Sequence, residues 1–335
     1  MKRCKKITRY KVLVTGTRGK STLVRLMTAG FKALGISCFS RITGVVPMEI
    51  SPSGVRQIVR SREGHIEELR WWLYHVPEYS EAIVVENSAV SAELQPLAAK
   101  WLKPNLVIWT NLREDHPEAW GPTKEGAMRA LLSGIPKGVP VVLGPDMHLE
   151  EKLLGLLKQN RNEVFLTGDT VDFEEANRAL AINALKTYGL NVTEESLSSN
   201  LTDDPGRFRV LKMGNGLLAW GFSANDVEST ESLLFSLKWQ KEETTVLFNN
   251  RRDRPGRLKA FEPWFNNARY KGIYICGSHP LRHIKGVKWI YFRDVDEIVS
   301  FVSERGLVFG CGNIAGLPLR ELLLYKEVNC ICDRI

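Results

Sequence analysis

The sequence predicts an α/β protein of two doubly wound units, and three observations carry that expectation. Short apolar, β-type runs alternate with helical patterns along all 335 residues, as parallel strands covered by helices require. Near the start, a strand pattern at 12–15 runs into a glycine loop, Gly16-Thr17-Arg18-Gly19-Lys20-Ser21-Thr22, with a helical pattern directly behind it. Around Asp203-Asp204-Pro205-Gly206-Arg207 the alternation stops and a second series begins. The boundary is therefore placed at Arg207, giving a first domain of residues 1–206 and a smaller second domain of residues 207–335.

In the first domain, strands are expected at 12–15, 36–39, 82–86, 106–110, 139–143 and 163–166, each a short apolar run. Helices are expected at 21–34, 67–75, 124–133 and 173–188, the last ending at Gly189 as a C-cap glycine should. The stretch 43–64 mixes Pro, Gly, Ser and charge without a period. It is expected to form a long loop or a small hairpin near the bound nucleotide. In the second domain, strands are expected at 208–211, 217–220, 245–248, 272–276, 288–291 and 307–309. Helices are expected at 227–237, 258–267, 294–304 and 319–325, so this half is a Rossmann-like unit. Repeats and low-complexity tracts are absent from the sequence.

Composition narrows the function classes. An apolar fraction of 44% with 25% charged residues is that of an ordinary globular protein. No apolar run approaches a membrane span. The basic segment 1–6 is followed by only a short strand before the glycine loop, so no export signal is expected. The six cysteines (Cys4, Cys38, Cys276, Cys311, Cys330 and Cys332) have no disulfide-framework spacing, which fits a reducing cytoplasm. Cys330 and Cys332 lack a second ligand pair nearby and are expected to be ordinary tail thiols. A net charge of +8 favours polyanionic partners, although a solvated lysine-rich surface would give the same total. Nucleic acid is not expected, because aromatic residues do not interleave with basic ones as stacking platforms would require.

The glycine loop carries the most specific chemistry. Gly16 and Gly19 let backbone N–H groups and a helix N-terminus close around an anion. Lys20 is placed to neutralise the β- and γ-phosphates of ATP, and the Ser21 hydroxyl to hold Mg²⁺. The general phosphate-loop pattern has a glycine where this chain has Val14, so the loop is the shorter T-G-T-x-G-K-S type. Two more loops follow apolar strands, where ligands bind in open α/β sheets. Glu86 ends the run 82–86, and its carboxylate suits Mg²⁺; the plainer reading is an acidic residue that only terminates a strand. Asn111 opens the cluster Asn111-Leu112-Arg113-Glu114-Asp115-His116. His116 would ligate a second Mg²⁺ or hydrogen-bond through metal-bound water, with Asp115 orienting it. In the second domain, Asn250-Arg251-Arg252-Asp253-Arg254-Pro255-Gly256-Arg257 is the densest basic cluster. Arg251, Arg254 and Arg257 are expected to grip a carboxylate substrate through their forks; the competing reading is a solvated basic turn.

These motifs resemble the ATP-dependent Mur ligase superfamily, which includes the peptidoglycan amino-acid ligases and folylpolyglutamate synthase. Within it the chain is most similar to the ligase subunit of poly-γ-glutamate synthase, the CapB/PgsB family. The stretches that carry the likeness are G-T-R-G-K-S-T at 16–22, E-N-S-A-V at 86–90 and N-L-R-E-D-H-P-E-A-W-G-P-T at 111–123. F-S-A-N-D-V-E-S-T at 222–230, N-N-R-R-D-R-P at 249–255 and G-C-G-N-I-A-G at 310–316 complete them. The resemblance implies a Mur-ligase-like central P-loop ATPase domain followed by the smaller Rossmann-like domain. It also implies an amide ligase that forms γ-linked glutamate polymer through an acyl phosphate. By the same analogy Lys20 takes the γ-phosphate, Ser21 and Glu86 bind one magnesium, and His116 helps to bind a second. Asn177 matches a helix asparagine that contacts nucleotide, or is a plain polar helix position. Arg207 matches the arginine that meets nucleotide phosphate or ribose at the domain junction. Asn225 and Asp226 match a position that reaches into the cleft.

Departures from the superfamily are informative. The lysine that many Mur ligases carry on the helix after the D-H motif is missing from 127–133, and Lys124 sits too early. The usual D-H-M-D turn is D-H-P-E, with Glu118 replacing an aspartate. A separate N-terminal domain for a UDP-linked sugar peptide is not expected, nor is an N-terminal hydrophobic anchor. Implied partners are glutamate or poly-γ-glutamate, and membrane-bound synthase or export subunits at the inner face of the membrane; a homo-oligomer is admitted. The alternatives are a Mur-type ligase with a different acidic acceptor and a regulatory P-loop ATPase that does not ligate.

Overall fold

The computed structural model describes residues 8–328 apart from 45, 60–63, 114–115, 146, 171–172, 203, 205, 225, 253–254, 268 and 315. Of the residues singled out in the sequence, Cys4, Glu114, Asp115, Asp203, Pro205, Asn225, Asp253, Arg254, Cys330 and Cys332 lie outside these. The chain divides into two compact units, Met1–Asp203 and Asp204–Ile335.

Unit 1 begins with β1 (Tyr10–Thr15), whose apolar side chains are buried because both faces of a parallel sheet are covered. α1 (Lys20–Ala33) follows the glycine loop and buries Leu23 through Phe31. β2 (Cys38–Ile42), β3 (Met48–Ser51) and β4 (Gly54–Gln57) come next, then α2 (Glu67–His75), β5 (Ala82–Glu86) and α3 (Gln95–Leu102). β6 (Leu106–Trp109), α4 (Pro117–Trp120), α5 (Lys124–Ser133), β7 (Val141–Leu143) and α6 (Glu151–Gln159) lead on to β8 (Val164–Leu166), α7 (Phe173–Thr187) and α8 (Glu194–Asn200). Among the described residues the sheet has the order β4-β3-β2-β5-β1-β6-β7-β8. β1 lies between β5 and β6, parallel to both. The chain goes to one side of β1 first and to the other afterwards, so the loops after β1, β5 and β6 meet at the topological switch point.

The expectation of parallel sheets is corrected at one edge. β2 pairs with β3, and β3 with β4, antiparallel, because the connections at 43–47 and 52–53 are too short for a parallel crossover. The aperiodic stretch is thus in part a hairpin that extends the sheet. Arg41, 3% exposed, anchors it from β2 by ion pairs to Glu49 at 3.3 Å and Glu68 at 2.7 Å. Losing either partner would leave a buried charge poorly compensated.

Unit 2 comprises β9 (Val210–Met213), β10 (Gly216–Trp220), α9 (Val227–Ser236), β11 (Thr244–Asn250), α10 (Pro255–Asn267), β12 (Gly272–Gly277), β13 (Val287–Trp289), α11 (Val295–Arg305), β14 (Leu307–Cys311) and α12 (Leu319–Leu322). Among the described residues its sheet runs β13-β12-β11-β14-β10-β9. All neighbours are parallel save β9–β10, again joined by a two-residue turn. Every residue of β11 is buried, and its Phe248 packs with Phe261 and Phe309 in the core. No helix among the described residues is long and apolar enough to cross a membrane.

Candidate functional site

The loop after β1 turns through two left-handed glycines, Gly16 with φ 125° and Gly19 with φ 76°. A side chain at either would be strained in backbone and space. A Cβ at Gly16 would sit 2.1 Å from Thr110 Oγ1, and one at Gly19 would sit 2.9 Å from Asn177 Oδ1. Gly19 is the N-cap of α1 and has no side chain to cap it, which suits the helix N-terminus to a bound anion. Lys20 curls back so that Nζ donates to Gly16 O at 2.7 Å and Thr17 O at 3.3 Å. Its ammonium is therefore held over the loop itself.

The loop after β6 clasps this turn. Asn111 Oδ1 accepts from Thr17 Oγ1 at 2.6 Å and from Arg18 N at 3.0 Å, while its Nδ2 donates to Arg18 O at 3.2 Å. Thr110 Oγ1 also donates to Arg18 O, at 2.6 Å. Asn111 thus acts on the phosphate loop, fixing its backbone. Thr110 belongs to the T-N-x-x-x-D-H pattern in the sequence, and the structure gives it this contact with the phosphate loop. Asn177, on α7, donates from Nδ2 to Phe173 O at 2.8 Å and presents its amide oxygen to Gly19.

Glu86 closes β5, in register with Val14, and is only 3% exposed. Its Oε2 accepts from Ser21 Oγ at 2.8 Å. Its Oε1 accepts from Thr43 Oγ1 at 2.9 Å and also from the Thr43 backbone N–H. Gly44 completes the enclosure, for a Cβ there would lie 2.6 Å from Ser21 Oγ and 3.5 Å from Glu86 Oε1. A buried carboxylate, a hydroxyl and a cradle that a methyl group would fill are donors that fit a hard divalent cation. Among the described residues no group of three or more His, Cys, Asp or Glu side chains is placed to hold a metal. Mg²⁺ characteristically takes one or two carboxylates and completes its shell with phosphate and water. Thr43 and Gly44 are the residues sequence reasoning missed. They lie in an aperiodic stretch just past β2, and the parallel pairing of β2 with β5 carries them to Glu86.

His116 stands ahead of α4 with φ 48°, its ring edge-on to Trp120 at 5.2 Å between centroids. Its carbonyl accepts from Ala119 N and Trp120 N. This turn sets the start of α4 on the same strand-end loop as Asn111.

The remaining site expectations fall in unit 2. Arg207 pairs with Glu327 at 3.1 Å. Asp226 is the N-cap of α9, accepting from Ser229 N at 2.8 Å and from Ser229 Oγ at 2.9 Å. Asp226→Ala should therefore cost about 1 kcal/mol of stability, read as a lower denaturant midpoint; an unchanged midpoint would contradict the capping role. Arg251 follows β11 and is half-buried. Arg257 points at the end of β14, donating to Gly312 O at 3.2 Å and to Asn313 Oδ1. Asn313 and Asn249 exchange amide-to-carbonyl bonds of 2.9 and 2.6 Å, tying the ends of β11 and β14 together. The thiols offer no nucleophile in these elements. Burial pushes Cys38 and Cys276 up to about 12, and Cys311 is also raised.

Comparison with known proteins adds the following. Residues 14–203 match the model of the Mur ligase middle domain. Residues 207–327 match that of the poly-gamma-glutamate synthase CapB C-terminal domain. The PGA synthase CapB of Bacillus subtilis (strain 168) is 25% identical over 364 residues, covering 95% of this chain and 91% of its own length. The crystal structure of folylpolyglutamate synthase from Thermotoga maritima superposes with TM-score 0.62 at 15% identity, covering 96% of this chain and 90% of that one. A bifunctional folylpolyglutamate synthase/dihydrofolate synthase with Mn, AMPPNP and L-glutamate bound superposes with TM-score 0.63 at 16% identity, over 92% and 88% of the chains. At these identities the structural likenesses establish the fold.

Proposed function

The chain belongs to the Mur ligase family, and on that premise we propose that it is an ATP-dependent ligase joining glutamate residues through γ-linked amides. The observation that carries this reading is the Ser21–Glu86–Thr43 constellation beside an uncapped glycine loop. It suits phosphoryl transfer, which asks the protein for cradled phosphates, positive charge and little else. The B. subtilis relative named PGA synthase CapB supports glutamate as the monomer. The neighbour holding Mn, AMPPNP and L-glutamate supports nucleotide and metal use.

In this mechanism the loop amides of 16–22 hold the ATP phosphates, and Lys20 exchanges its loop carbonyls for the γ-phosphate. Ser21 and Glu86 would hold Mg²⁺, with His116 aiding at a second position; bound there, the cation neutralises charge on the phosphate oxygens. Asn111 and Thr110 keep the loop in place, and Asn177 backs Gly19. The γ-phosphoryl group passes to an acceptor carboxylate oxygen, breaking the bond to ADP and giving an acyl phosphate. The amino group of the next glutamate attacks the acyl carbon, loses a proton and expels phosphate. Arg251 and Arg254 would grip the free carboxylate of the acidic substrate, Arg207 would serve the nucleotide, and Asn225 and Asp226 would serve the reacting groups. Export of a polymer would fall to membrane-bound partner proteins.

Arg251→Gln should raise the KM for the acidic substrate about 10- to 100-fold, the loss of one charge-assisted contact, and leave that for ATP near its original value. An unchanged KM for the acid would remove Arg251 from the substrate site. The reading as a whole is tested by phosphate release from ATP and Mg²⁺ with each amino acid in turn, alongside mass spectrometry of products. A ladder of glutamyl additions is expected. Release stimulated by a different substrate would keep the ligase and discard the polyglutamate assignment. Release with no amide product would leave an ATPase.

A further inference from the structure

One indole joins the two loops that carry Glu86 and His116. Trp120 Nε1 donates to Val90 O, so the turn after β6 is bonded to the loop after β5. β5 and β6 flank β1 on opposite sides. The bond therefore ties together the loops on either side of the phosphate-loop strand. Trp109 makes the simpler contact, from Nε1 to Asn111 O at 3.0 Å, and stays within its own loop.

Both ends of the Trp120 bond are firmly built. On the β5 side, Asn87 and Gln95 are 3% and 1% exposed. Asn87 Nδ2 donates to Gln95 O at 3.0 Å and to Gln95 Oε1 at 2.8 Å, while Asn87 Oδ1 accepts from Ala89 N at 3.2 Å. Gln95 Nε2 in turn donates to Ala89 O, which fixes the residue before Val90. On the β6 side, Gly126 lets α5 close on the Trp120 carbonyl, where a Cβ would stand 1.9 Å away. His116 then rests on Trp120. Its φ of 48° is uncommon outside glycine, and such a backbone persists where its surroundings over-determine it. Its carbonyl accepts from Trp120 N at 3.0 Å, and its ring meets the indole at 5.2 Å with the planes at 68°.

We propose that Trp120 is a positioning residue that fixes the His116 imidazole relative to Glu86, for a second divalent cation on the nucleotide phosphates. This rests on the ligase reading given above, in which His116 aids at that position. Mg²⁺ there would take most of its shell from phosphate and water. The aim of a single imidazole is then much of what the protein supplies, and a group that orients a ligating histidine is typically worth about 10- to 100-fold in metal affinity. The competing role is packing, since Trp120 also lies against the core of unit 1. Packing needs the ring but not its N–H, and that difference separates the two.

The test is Trp120→Phe in the full chain, which keeps a ring beside His116 and deletes the donor to Val90 O. Mn²⁺ binding in the presence of AMPPNP is read by electron paramagnetic resonance of the free ion, with no turnover required. Wild type should bind two Mn²⁺. Trp120→Phe should hold one as before and the other about 10- to 100-fold more weakly. His116→Ala should weaken the same ion, and adding Trp120→Phe to it should change nothing further, because the two side chains act as a unit. Wild-type affinity for both ions in Trp120→Phe would overturn the positioning role alone. Losses that add in the double variant, or equal weakening of both ions with a lowered melting temperature, would return Trp120 to packing. A single Mn²⁺ in wild type, unaffected by His116→Ala, would overturn the second cation position and the role of Trp120 together. The product ladder is a separate measurement, so ligation stands or falls independently of these outcomes.

Discussion

Lys20→Ala is expected to lower turnover about 100- to 1000-fold, the loss that follows removal of one preorganised group aimed at developing charge. Lys20 is the first residue of α1, and its Nζ rests on Gly16 O and Thr17 O. Both acceptors belong to the loop that would hold the phosphates, so the ammonium needs only a short swing to reach them. The loop itself should survive the substitution. Its shape is fixed by the left-handed glycines and by Asn111 and Thr110, and none of those contacts involves the lysine side chain. Lys20→Arg should not restore turnover, because a planar fork cannot replace a compact point charge inside a tight turn. Phosphate release at saturating ATP measures the effect, and wild-type turnover in the alanine variant would remove Lys20 from the chemistry.

The second large effect is expected at Thr43. Thr43→Val keeps the shape and the backbone N–H but removes the hydroxyl bond to Glu86 Oε1. Partners of this kind, which orient a metal-binding carboxylate, are typically worth about 10- to 100-fold in metal affinity. The Mg²⁺ concentration for half-maximal activity should rise by that factor, and Thr43→Ser should restore it. A valine variant with unchanged Mg²⁺ dependence would reduce Thr43 to a packing residue.

Much of this arrangement was legible in the sequence. Buried parallel strands announce themselves as short apolar runs, and β5 and α2 fall where the pattern placed them, at 82–86 and 67–75. The glycine loop was legible because its chemistry is local: strand, turn and helix follow one another in sequence. Glu86 was legible for a related reason, since a carboxylate ending an apolar strand at a switch point has few other places to go. α3, α4, α6 and α8 were not expected. α3 lies in an apolar run without clear caps, and α8 is a short polar helix started by the Thr193 capping box. The Thr43–Glu86 contact spans 43 residues and depends on the β2–β5 pairing and its register, which periodicity does not encode. Asp226 shows the converse: the motif match pointed to the cleft and gave no sign of the local capping of α9 that the structure shows.

The edge hairpin has a kinetic consequence. Glu86 is steadied by Thr43, Thr43 stands just past the end of β2, and β2 is flanked on its outer side by β3 and the fully exposed β4. Exposed edge strands fray faster than central ones and open without global unfolding. The fraction of time the carboxylate is correctly held is then governed by a local opening equilibrium at the rim of the sheet. Substitutions at Glu49 or Arg56, which pair across that rim, should alter the metal requirement without touching any group that meets the substrate. Hydrogen exchange at the β3 amides would report the same equilibrium, and its protection should rise and fall with Mg²⁺ affinity across such variants.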